Sequence, residues 1–158
     1  MVFFKSLVSA LLLAVSAVAQ TAPPAPGLTY LYTVNLNVST PIDLGVGPAG
    51  LRRIVPVIGG VFTGPKLNGT AFAVGGDFGF ADPKTTVFYS DTRYAFNTSD
   101  GALIYVTSTG ASVNGTLHSH FKYETSSAAY AWLNTITTIG VGKINLATGG
   151  LKVDTWYF

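Results

Sequence analysis

Short runs rich in Val, Ile, Thr, Tyr and Phe alternate along the chain with clusters of Gly, Pro, Asn and Asp. Runs of this kind, bounded by turn residues, are typical of β-strands. No segment after Leu28 keeps an apolar period of 3.6 residues over three turns, so the pattern predicts little helix. The predicted strands are 28–38, 51–63, 67–80, 85–97, 102–109, 115–125, 129–145 and 150–158.

The best candidate for a helix is Ala128–Leu133. The Thr-Ile-Thr-Thr-Ile sequence after it favours a strand, so we assign 129–145 to a strand. Sequential strands joined by short turns fit an up-and-down barrel or a sandwich. We prefer a barrel, because closure removes the exposed edges of a weakly charged sheet. The predicted fold is all-β, a closed antiparallel up-and-down β-barrel of about eight strands.

Residues 1–19 have the pattern of a cleavable signal peptide. Lys5, the only charge, precedes an apolar stretch from Leu7 to Val15, and Ala17–Ala19 forms a small-x-small cleavage sequence. The apolar stretch is shorter than the roughly 18 residues needed to cross a bilayer. The sequence therefore predicts a secreted, extracellular protein rather than a membrane protein.

The rest of the chain is the size of one domain, a β-barrel over residues 28–158 after an extended Pro-rich lead-in at 20–27. Without Lys5, eight basic residues face seven acidic ones. Such a balance gives no electrostatic basis for binding nucleic acid or an anionic membrane. The absence of Cys excludes thiolate metal sites and cysteine nucleophiles. A small-molecule ligand and a homo-oligomer remain open.

Asn-x-Ser/Thr sequences, the acceptor pattern for N-glycosylation, begin at Asn37, Asn68, Asn97 and Asn114. In a secreted chain they are plausible glycan sites. Each used acceptor must face outward, because a glycan cannot be packed inside a domain.

Ordered blocks along the chain resemble one known family. The blocks are Leu51–Pro65, Gly75–Phe78, Asp91–Tyr94, Asp100–Val106, Tyr123–Thr125 and Tyr130–Asn134. Together they resemble the DUF3237 (UPF0311) family, in its secreted fungal form. The resemblance implies a closed antiparallel barrel and implies little about activity. The turn Asn97–Gly101 is more neutral than the charged turn that family members often carry, so a lumen ligand could differ accordingly.

On a predicted strand, Asp91 and Arg93 share a face and could form an ion pair. That pair could brace the barrel wall, or Asp91 could hold Arg93 as an anchor for an anion or a carbonyl group. We expect Arg93 to point into the barrel, held by Asp91 or by Glu124. Arg52 and Arg53 point to opposite faces, so at most one of them enters the lumen.

His118, His120, Lys122 and Glu124 share one face of their predicted strand. His-x-His-x-x-x-Glu is the ligand spacing of a cupin metal motif. These are the only histidines of the chain, so the further histidine that cupins supply from a second strand is missing. We expect a solvated or lumen-lining polar face and no metal or other cofactor, with a cupin-like metal-dependent enzyme as the alternative.

Asp77 follows two glycines, which allow a sharp bend or a close approach of the backbone. Its carboxylate could cap a turn, or it could be an acid or base with a shifted pKa at the barrel mouth. Tyr105, Trp132 and Asn134 add aromatic walls and one amide, which suit either a core or a small-molecule pocket.

These features favour a secreted barrel that binds, and could transform, a small organic molecule in its lumen. The expected ligand-binding residues are Arg93, Tyr105, Glu124, Trp132 and Asn134. If the protein is an enzyme, Asp77 or Glu124 would transfer protons and Arg93 would stabilise negative charge. The alternative is a non-enzymatic structural or host-interaction protein whose barrel is filled with side chains.

Overall fold

The computed structural model describes residues 22–145 and 149–158, so the predicted signal peptide lies outside the described residues. No helix in the described part is long and apolar enough to span a membrane. The strands are β1 (Thr29–Val38), β2 (Ile42–Gly47), β3 (Gly50–Thr63), β4 (Asn68–Ala71), β5 (Gly76–Asp77), β6 (Phe80–Ala81), β7 (Phe88–Thr98), β8 (Leu103–Val113), β9 (Thr116–Glu124), β10 (Thr138–Asn145) and β11 (Gly150–Tyr157). A 3₁₀ helix covers Ala131–Thr135.

The strands close into an antiparallel barrel, as the sequence predicts. The sheet runs β1-β11-β10-β9-β8-β7, then through the short strands β4, β5 and β6 to β3, and β3 pairs with β1. Because β4, β5 and β6 share one position between β3 and β7, the wall has eight positions. Strand β2 pairs with β3 alone and forms a flanking arm.

Two predicted strands are corrected by the structure. The predicted strand 67–80 is broken into short pieces, and at Gly75 the backbone has φ +80° and runs so close to Arg93 that a Cβ would lie 2.0 Å from its carbonyl oxygen. The predicted strand 129–145 begins only at Thr138, because the preceding residues cross the end of the barrel, where Leu133 is buried. Burial of Leu133 outweighs the local β-propensity.

Strand β2 is missing from the predicted strands. Ile42, Leu44 and Val46 alternate with other residues, which is a strand signal, but all three are exposed in the structure. A β-bulge between Asp43 and Gly45 interrupts the alternation, and the barrel does not bury these side chains.

One half of the barrel interior is packed with aromatic rings. The rings of Phe62 and Phe96 stack with centroids 4.0 Å apart, and Tyr32 meets Phe96 edge to face at 5.5 Å. All three side chains are almost fully buried. Such pairs add to the stabilisation from apolar burial, so this half forms the core.

Candidate functional site

The two ends of the barrel differ. The segment after β9 folds across one end, where the side-chain amide of Asn134 accepts a hydrogen bond from the Thr125 amide at 2.9 Å and donates one to the Thr125 carbonyl at 3.0 Å. Leu133 packs from this segment into the core with 1% exposure. We call this the closed end.

The opposite end of the barrel, which we call the open end, is slightly less tightly buried. Inward-facing Thr92 and Leu117, nearer that end, keep 7% exposure, whereas Tyr32 and Phe96 keep none. The open half of the lumen is therefore defined by the inward-facing residues Leu36, Val57, Ser90, Thr92, Ser108, Leu117 and Ser119. It has aliphatic walls and several hydroxyl groups.

Buried hydroxyl groups without hydrogen-bond partners lie in this interior. They belong to Ser90, Tyr94, Ser119 and Thr155. The register places Ser90, Ser119 and Thr155 in one lateral row around the wall, separated by Gly110 and Gly140. A buried polar group without a partner is costly, so such a row is an unusual feature of an interior and suits a ligand that supplies the missing bonds.

Tyr32 continues this row on β1, next to Thr155, and its side chain belongs to a group of three buried tyrosines. The hydroxyl oxygens of Tyr32 and Tyr123 are 2.8 Å apart, and that of Tyr94 approaches them without reaching hydrogen-bond geometry. Burial raises the pKa of each of these tyrosines above its usual value. All three therefore stay protonated at neutral pH and form a neutral floor to the lumen.

Asp77 lies on the lumen side of the wall near the open end. It pairs with inward-facing Thr92 on one side and with Val55 on the other. Its carboxylate accepts a hydrogen bond from the Asp91 amide at 2.9 Å. Burial raises the pKa of Asp77, although hydrogen bonds from the Asp91 amide and the Thr92 hydroxyl oppose the shift. The carboxyl group thus braces the wall and also holds its proton more tightly than a solvated aspartate.

Arg53 belongs to the same side of β3 as Val55 and Val57, at the rim of the open end. Its guanidinium donates to both carboxylate oxygens of Asp43 on β2, at 2.5 and 3.0 Å. This contact holds the pKa of Asp43 below its usual value. Arg52 lies on the opposite face, over the ring of Phe80, as the alternation predicts.

The expectation that Arg93 points into the barrel is wrong. Its side chain is 47% exposed on the outer face and forms an ion pair with Asp91 at 3.1 Å. The buried residues of β7 lie on the opposite face of the strand and include Thr92 and Tyr94. The partner is therefore the expected one, but the pair lies outside the lumen.

The structure also places the other expected ligand-binding residues outside the lumen. Tyr105 and Glu124 pair across β8 and β9 and, with Asn134, line a shallow groove on the outer surface. Trp132 packs against the ring of Tyr157, and Lys66 lies over both rings. These residues are neighbours at the closed end and not parts of the open half.

The candidate metal ligands do not converge. His118 and His120 are exposed on the outer face of β9. Glu124 follows His120 by four residues, a span of about 13 Å along an extended strand. No group of three or more His, Cys, Asp or Glu side chains among the described residues could hold a metal ion.

The acceptor asparagines of the glycosylation sequences lie at the surface. Asn37, Asn68 and Asn114 are exposed, and Asn97 is half-buried on the outer face of β7. Their positions meet the geometric requirement for a glycan.

The hydroxyl groups in the lumen are not predicted from the sequence. Ser90 and Thr92 alternate with exposed or half-exposed residues on β7, as Ser119 does on β9. The alternation was readable, but Ser and Thr carry no signal that distinguishes a buried face from a solvated one.

Comparisons with known proteins agree with this barrel. The family model described as "Protein of unknown function (DUF3237)" matches residues 26–116. This chain belongs to the DUF3237 family. A UPF0311 protein of Bradyrhizobium diazoefficiens is 33% identical over 87 residues, 55% of this chain and 56% of that protein. The chain thus spans about half the length of such bacterial relatives.

A fungal relative matches over a longer range. A protein of Penicillium herquei named as a hydroalkoxylation enzyme is 31% identical over 137 residues, 87% of each chain. A crystal structure of a β-barrel-like protein from Acinetobacter baumannii is 30% identical with a TM-score of 0.78, covering 87% of this chain and 99% of that one. A structure of an enzyme from Penicillium herquei is 27% identical with a TM-score of 0.70, covering 87% and 98%.

Proposed function

We propose that this protein binds a small organic molecule in the open half of the lumen and transforms it by proton transfer. The observation that carries the proposal is the set of unpaired buried hydroxyls, Ser90 and Ser119 above all, in the open half of the barrel. Aliphatic walls with a few placed polar groups are typical of small-molecule sites.

The fungal relative indicates the class of chemistry. Hydroalkoxylation adds an alcohol O–H across a carbon–carbon double bond, so one proton goes to carbon and one leaves oxygen. The reaction needs no oxidant or reductant, only a proton donor and a proton acceptor. A carboxyl group with a raised pKa is suited to that role. In the described part of the lumen wall, Asp77 is such a group.

Of the three expected catalytic candidates, Asp77 is the one that remains. Glu124 and Arg93 are on the outer surface, so neither can contact a ligand in the lumen. The hydroxyls of Thr92 and Ser90 lie on the neighbouring strand β7 and would orient the ligand.

The experiment is a binding study by amide-resolved NMR with 2-naphthol as the probe. We expect shift changes in residues 88–92 and 117–121, and weaker binding in a Ser119→Ala variant. Ser126→Ala is the matched control, because Ser126 is exposed in the outer groove. Shift changes confined to the outer groove, or loss of binding in the control alone, would contradict a lumen site.

A non-enzymatic structural or host-interaction protein is the second candidate. The aromatic packing of the closed half favours it, because a filled barrel has no room for a ligand. A protein that shows no shift change in the lumen with 2-naphthol, and turns over no hydroxyl-bearing alkene, would support this candidate over the enzyme.

Export of the protein is a further part of the proposal. The charge, apolar stretch and cleavage sequence of residues 1–19 support secretion. N-terminal sequencing of protein from culture medium should begin near Gln20, and mass spectrometry should find glycans on some of the four acceptors. An intact Met1 on membrane-retained protein would exclude this processing.

A further inference from the structure

We infer that the ligand of this lumen is a neutral molecule, and that Asp43 is the residue that excludes anions. This inference deepens the proposed function and depends on it. It is drawn from the distribution of charged side chains around the open end.

Basic side chains lie almost entirely outside the lumen. Among the described residues, those on the outer face, in loops or at the closed end are Arg52, Lys66, Lys84, Arg93, Lys122, Lys143 and Lys152. Arg53 alone of the described basic residues is on the lumen side of the wall.

Arg53 is close enough to meet a bound molecule. Its amide donates to the Gly79 carbonyl at 3.0 Å, and the register places Gly79 between Arg53 and Ser90 in one lateral row. Two strand spacings separate Arg53 from Ser90, about 10 Å. A guanidinium at that distance would attract a carboxylate or phosphate held by the hydroxyls of the open half.

Asp43 removes this attraction. Its carboxylate takes two parallel hydrogen bonds from Arg53, the geometry in which guanidinium and carboxylate recognise each other most selectively. An anionic ligand would have to displace that carboxylate or lie near Asp77 without a counter-ion. A neutral hydroxyl or phenol meets neither obstacle, because the unpaired hydroxyls of Ser90 and Ser119 both donate and accept.

The test compares 2-naphthol with 2-naphthoate, which share a ring system and differ in charge at neutral pH. Binding of each is measured by calorimetry with the full chain. We expect 2-naphthol to bind at least about tenfold more tightly, the equivalent of about 1.4 kcal/mol. In Asp43→Asn, which frees Arg53, naphthoate should gain about tenfold while naphthol stays unchanged.

Asp154→Asn is the control, because it removes the same charge from an exposed ion pair with Lys152 on the outer face of β11. It should change neither affinity, which separates a local effect of Arg53 from a change in net charge. Tighter binding of naphthoate than of naphthol to the unaltered protein, or equal gains in both variants, would overturn the inference and leave the proposed function standing. Failure of both probes to bind at millimolar concentration would count against the proposed function itself.

Discussion

The hydroxyl groups of Tyr32 and Tyr123 share a hydrogen bond of 2.8 Å at the floor of the lumen, although 91 residues separate them in the chain. Strand β1 supplies one and β9 the other, so the bond forms only when the barrel closes. Because water is excluded from this site, each hydroxyl depends on the other as its hydrogen-bond partner.

Removing one hydroxyl of this pair should destabilise the protein. Tyr32→Phe leaves the Tyr123 hydroxyl buried without that partner, which costs about 1–3 kcal/mol of unfolding free energy. Denaturant unfolding measures the loss. The double variant Tyr32→Phe with Tyr123→Phe should lose less than the sum of the single losses. Tyr94→Phe is the control, because the Tyr94 hydroxyl has no hydrogen-bond partner that its removal would leave unpaired. A loss of unfolding free energy as large as that of Tyr32→Phe would contradict this account.

Replacing Asp77 should leave stability intact or raise it at neutral pH. Burial raises the pKa of Asp77 in the folded protein. The protonated carboxyl group therefore contributes stability below the unfolded pKa of about 3.9, and this contribution is lost as the pH rises through the folded pKa. Asn keeps an acceptor for the Asp91 amide without a charge. Urea unfolding should therefore show Asp77→Asn at least as stable as wild type near neutral pH, with any advantage shrinking in acid.

The same Asp77→Asn variant should lose proton-transfer activity on a hydroxyl-bearing alkene while still binding 2-naphthol. Retained binding with lost turnover distinguishes a catalytic carboxyl group from one that only braces the wall. If Asp77→Asn compared less favourably with wild type at neutral pH than in acid, the predicted direction of the pH dependence of stability would be wrong.

Arg93→Ala should change the unfolding free energy by less than about 1 kcal/mol. The Arg93–Asp91 pair is exposed on both sides, and exposed pairs contribute about 0–1 kcal/mol. A loss of about 3–5 kcal/mol is the value for breaking a buried pair. Thermal unfolding distinguishes the two values, and a loss in the larger range would indicate that Arg93 lies in the interior.

Leu133→Ala should destabilise the closed end by about 2–5 kcal/mol, because it empties a fully buried position. Exposed Thr135 in the same 3₁₀ helix offers a control, since Thr135→Ala removes no buried volume. Denaturant unfolding of both variants measures the difference. Similar losses would show that the helix itself, and not the packing of Leu133, closes the barrel.

The amino-acid sequence determined the all-β class and most of the strands. Alternation of side chains is a local property of an extended chain, so β1, β9 and β11 could be predicted almost residue by residue. The same alternation showed that Asp91 and Arg93 share a face. It also showed that Arg52 and Arg53 do not.

Tertiary structure decided which face of each strand is the inside. The alternation divides the residues of each strand into two faces, but it does not determine which face the closed wall encloses. A strand with aromatic residues on one face and an ion pair on the other is compatible with either orientation. Closure assigned Arg93 to solvent and the hydroxyls of Ser90 and Ser119 to the lumen. The candidate site follows from that assignment, because its groups come from distant strands and meet only across the interior.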